Sequence, residues 1–110
     1  MSEPQNEGQR IAHEYLSKLG WVRQWRRTLM RETRPAWTRE EYEDKMRRAD
    51  ALEDEAEAFF STEYDRLRKD KSPEAKETLK VIYKELGPRT DLGFVGRSII
   101  QRLKQQLSML

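Results

Sequence analysis

The chain has 110 residues, which is room for one domain and one core. Hydrophobic residues make up 35% and charged residues 38%, and the absence of cysteine excludes a disulfide framework and a thiolate metal site. No stretch approaches the roughly 20 consecutive apolar residues of a membrane span, and residues 1–10 lack the apolar run of a secretory signal, so the expected location is cytoplasmic.

The net charge of +2 conceals an uneven distribution. Residues 10–39 carry eight Lys/Arg against two Asp/Glu, residues 40–70 carry six against twelve, and residues 71–110 carry eight against four. Successive blocks of opposite sign predict electrostatic pairing, either within one chain or between chains.

In chain order, residues 1–9 read as a flexible leader and residues 10–110 as a single helical domain. From Gln9 to Arg31 the apolar residues Ile11, Ala12, Tyr15, Leu19, Val22, Trp25 and Leu29 recur at spacings of three and four, the stripe of an amphipathic helix. Gly20 lies inside that helix and is a place for it to bend, because Gly is poor at holding a helix interior. Thr38 followed by Glu41 is a capping-box pattern. The helix it opens shows Tyr42, Met46, Ala49, Ala56, Phe60 and Leu67 on one face, and no Gly or Pro interrupts it before residue 70. At 1.5 Å per residue such a helix runs about 48 Å, too long for a compact domain of this size, so an elongated molecule is expected. Ser72 and Pro73 then open a third helix with Ala75, Leu79, Ile82 and Leu86 on its apolar side, and Gly87-Pro88 stops it. A last helix, starting between Thr90 and Phe94, carries Val95, Ile99, Leu103 and Leu107. The fold class is therefore all-α: an elongated bundle of about four helices with one long central helix.

Four arginines of the first helix region, Arg23, Arg27, Arg31 and Arg34, fall on one line well away from its apolar stripe. Guanidinium groups offer planar, bidentate donors, so the row suits phosphates or an acidic protein surface; it is equally what a solvated basic face looks like. Trp21, Trp25, Trp37 and Phe59 are large apolar residues that one small monomer has difficulty covering, and they form a candidate apolar interface. Arg26 interrupts the apolar side of its own helix, as Glu53 and Glu63 do on the next, and an interhelical pair between them would fix register.

The acids Asp50, Glu53, Asp54, Glu55 and Glu57 point around the second helix in nearly every direction, which reads as a solvated surface. No Glu-x-x-His element accompanies them, so no metal is expected. Gly93 and Gly96 lack the Lys-Ser/Thr of a phosphate-binding loop. They read as points of close helix approach or as a delay of the last helix start, with an anion site at that helix start, assisted by Arg89 and Arg97, as the other reading. The last two helices have the order of a helix-turn-helix, but Asp91, Leu92, Gly93 and Phe94 stand where base-reading residues would. His13 is the only histidine and has no nucleophile beside it in sequence.

These features point away from catalysis and from any cofactor. The expected function is a non-enzymatic interaction or assembly protein that binds a protein partner or its own copy through helix faces. The second reading is a nucleic-acid-associated protein contacting phosphates through the arginine row.

Overall fold

A computed structural model describes residues 6–31 and 37–108, with the backbone alone of Met30, Arg31 and Ser108. Four helices follow one another: α1 (Glu7–Arg31), α2 (Arg39–Lys69), α3 (Pro73–Leu86) and α4 (Phe94–Ser108), with no strand among the described residues. The fold is an all-α helical bundle with a long central helix.

Each start is set by local hydrogen bonding. The Asn6 side chain accepts from the Gln9 amide at 2.9 Å, so α1 opens at Glu7 and takes in the end of the segment read as a leader. Thr38 accepts from the Glu41 amide at 3.1 Å, and Ser72 accepts from the Ala75 amide at 3.1 Å ahead of Pro73. Gly87 ends α3, its amide donating to the Tyr83 carbonyl at 2.7 Å. Gly20 does not break α1, and α2 runs without interruption from Arg39 to Lys69.

The molecule is long, 56 × 28 × 20 Å with a radius of gyration of 16.7 Å, against about 13 Å for a compact chain of this size. At one end all four helices meet around Ile11, Tyr15, Leu19, Phe60, Tyr64, Leu67, Ile82, Leu86, Ile99 and Leu103. The Tyr15 and Phe60 rings stack there with centroids 4.5 Å apart. Beyond that core the later part of α1 and the earlier part of α2 continue as an antiparallel hairpin, sealed by buried Val22, Leu29 and Ala49.

The basic and acidic blocks meet within the chain at Arg26. Arg26 of α1 reaches both Asp50 (2.6 Å) and Glu53 of α2, and Arg66 of α2 reaches Glu7 of α1 and Glu63. The arginine that interrupts the apolar side of α1 is thus the register pin between the two long helices, with Glu53 and not Glu63 as its partner.

Candidate interaction surface

Helices α3 and α4 cover only one side of the α1–α2 hairpin. On that side a Cβ added at Gly8 would stand 2.7 Å from the Val81 Cβ of α3. The first turn of α4 closes on the middle of α2: Glu57 Oε2 accepts from the Gly96 amide at 2.8 Å, and Oε1 accepts from the Tyr15 hydroxyl at 2.6 Å. A Cβ at Gly96 would overlap the Tyr15 hydroxyl, and one at Gly93 would overlap the Glu57 carboxylate. The two glycines are the points of close approach, and α4 starts at Phe94 just behind the first of them. Burial and the neighbouring Glu57 carboxylate push the Tyr15 hydroxyl far above its ordinary range.

This contact also settles where the anion at the α4 start comes from. Position 93 has no side chain to cap the helix, and the chain's own Glu57 does so from α2, where sequence reasoning placed a solvated acid. Nor is Arg89 free for an external anion: it grips Asp91 with two hydrogen bonds at 3.0 and 2.9 Å, while Arg97 is exposed. Hydrogen bonding from Arg89 holds the Asp91 carboxyl down at about 2.

The arginine row is divided. Arg23 is half-buried and bonds Asp91 at 3.1 Å, whereas Arg27 is exposed and makes no ion pair among the described residues. Gly20, Arg23, Gln24, Arg27 and Thr28 line an open groove there. The Arg31 side chain and Arg34 lie outside the described residues.

Among the described residues no third helix lies over the opposite side of the hairpin. Trp21 is 72% exposed and Leu52 43% exposed, although both are large and apolar. Around them the apolar residues are partly shielded by cations. Lys18 lies 5.5 Å over the Phe59 ring, and Lys45 lies over both Trp25 (6.0 Å) and Trp37 (5.0 Å). The four residues read as an apolar interface are therefore placed along the hairpin, with Trp21 open and Trp25, Trp37 and Phe59 half-buried. Sequence reasoning did not single out Leu52, which extends this face, or Phe94, 81% exposed at the start of α4 on the covered side.

Among the described residues no three His, Asp or Glu side chains come together in a way that could hold a metal ion, and no helix is long and apolar enough to cross a membrane. Comparisons with protein-family models, with curated proteins and with solved structures find no match.

Proposed function

We propose that this protein is a non-enzymatic docking or assembly module that binds a protein surface through the open face of the α1–α2 hairpin. The observation that carries the reading is Trp21: a tryptophan left 72% exposed beside an exposed Leu52, on the one side of the hairpin that α3 and α4 leave uncovered. Exposed aromatic anchors ringed by long polar side chains are what protein interfaces use as hot spots. The described residues offer little for chemistry. The buried polar group, Glu57, is consumed by Tyr15 and Gly96, and the exposed His13 side chain makes no hydrogen bond or ion pair among the described residues.

The second reading, phosphate binding through α1, rests on Arg27, a cation without an ion-pair partner among the described residues beside the open groove. Arg23 supports it less, because Asp91 already neutralises it.

The test is capture from the native cell with nuclease treatment, comparing the parent chain with a W21E/L52E variant and an R27E variant. Docking through the open face predicts nuclease-resistant protein capture that W21E/L52E abolishes and R27E leaves intact. Capture lost on nuclease treatment and on R27E alone would transfer the function to the arginine groove.

A further inference from the structure

We infer that the occupant of the open hairpin face is a second copy of this chain, joined across a two-fold axis that seats Trp21 of each copy on Trp25 of the other and sets Arg48 of each copy against Glu55 of the other. The inference rests on the docking reading above and names its partner.

The contacts of the two helices define which residues share this face. Lys18 over Phe59 and Lys45 over Trp25 lie on the side away from α3 and α4. Arg48, Leu52, Glu55 and Phe59 follow one another at steps of four, three and four on α2, and so continue along that side. Trp21 and Trp25 do the same on α1.

The levels along the hairpin are fixed by its antiparallel register. Glu7 stands beside Arg66, Tyr15 stacks on Phe60 and Arg26 bonds Asp50. Residue 23 of α1 is consequently level with about residue 52 of α2. A two-fold axis lying in the face at that level, perpendicular to the helices, lays α1 on α1 and α2 on α2, each antiparallel to its copy. It exchanges residues equally distant from the centre, which on α1 are Trp21 and Trp25 and on α2 are Arg48 and Glu55. One axis thus satisfies an aromatic match and a charge match on two different helices, and Leu52 sits at its centre.

Charge and area agree with this occupant. Among the described residues exposed Arg48 has one ion pair, with Asp44 one turn away at 3.3 Å, and exposed Glu55 has none. The face is therefore self-complementary about the axis, as an isologous interface requires. About that axis residues 15–31 of α1 and 39–65 of α2 overlap their copies, and at about 9 Å of width per helix they offer on the order of 600 Å² per copy, or about 1,200 Å² in total, at the lower end of the range of stable interfaces.

Sedimentation equilibrium on the purified full-length chain tests the proposal, with circular dichroism confirming that each variant stays helical. The parent is expected to dimerise, W21E to weaken the dimer about a hundredfold, and R48E or E55R each to weaken it about tenfold. Mixing R48E with E55R restores both ion pairs across the axis and is expected to yield a heterodimer near parental affinity. A chain that stays monomeric, or a dimer indifferent to W21E that the charge variants fail to sort, overturns the proposal. If the monomeric chain still captures a protein in a Trp21-dependent, nuclease-resistant way, the docking reading stands with another occupant; if that capture is also absent, both fall.

Discussion

Glu57 and Gly96 are joined by a 2.8 Å hydrogen bond from the glycine amide to the carboxylate, so the middle of α2 caps the first turn of α4. The same carboxylate accepts a hydrogen bond from the Tyr15 hydroxyl at 2.6 Å, which brings α1 into the contact. Three helices therefore depend on one acidic side chain that is almost wholly buried.

Replacing Glu57 by Ala leaves the buried Tyr15 hydroxyl and the Gly96 amide without their acceptor. Urea denaturation should show a loss of about 2–4 kcal/mol, whereas E57Q, which keeps one acceptor, should lose about half as much. Equal and negligible losses in both variants would mean that the carboxylate does not hold α4.

Substituting Gly96 by Ala drives a methyl group into the Tyr15 hydroxyl. The ring is stacked on Phe60 and cannot withdraw, so a cost of about 1–3 kcal/mol is expected, and a Y15F/G96A pair should recover part of it. A double-mutant cycle in denaturant reads that recovery.

Because its folded-state value is raised, Tyr15 contributes stability that is fully present below the ordinary tyrosine value near pH 10 and is lost as the pH climbs through the folded value. Alkaline titration followed by phenolate absorbance should show no Tyr15 ionisation while the helices persist. The difference between the parent and Y15F should appear only together with the loss of helical signal.

Asp91 titrates in the opposite sense. Its carboxyl is depressed to about 2 by hydrogen bonding from Arg89, so its contribution is present above the ordinary aspartate value and vanishes as the pH falls through about 2. Carboxyl NMR should find it still ionised at pH 3, and R89A should move it back toward the ordinary range.

Periodicity alone revealed the helices, because stripes at spacings of three and four depend only on residues close in sequence. The caps at Thr38 and Ser72 and the stop at Gly87 are local in the same way. Glu57 was read as a solvated acid because what buries it comes from Tyr15, 42 residues earlier, and Gly96, 39 residues later. The signal that could have exposed it was the glycine pair: two close-approach points at a helix start that lacks its own capping side chain call for an acceptor from elsewhere. Arg23 was misjudged for a related reason. Helical phase puts it on the outward line with Arg27, but only the path of the loop before α4 brings Asp91 to it. Arg26, by contrast, called for an acid on the facing helix, since a charge on an apolar seam needs an opposite charge across it, and the structure chooses Glu53 over Glu63.

The claim on which the functional account depends is that the Trp21 side of the hairpin, and not the arginine side, meets another macromolecule. A photo-crosslinking amino acid placed at position 21 or at position 27, activated inside the native cell, compares the two sides directly. The account predicts protein adducts from position 21 that survive nuclease. Adducts from position 27 alone, released as nucleic acid, would contradict it.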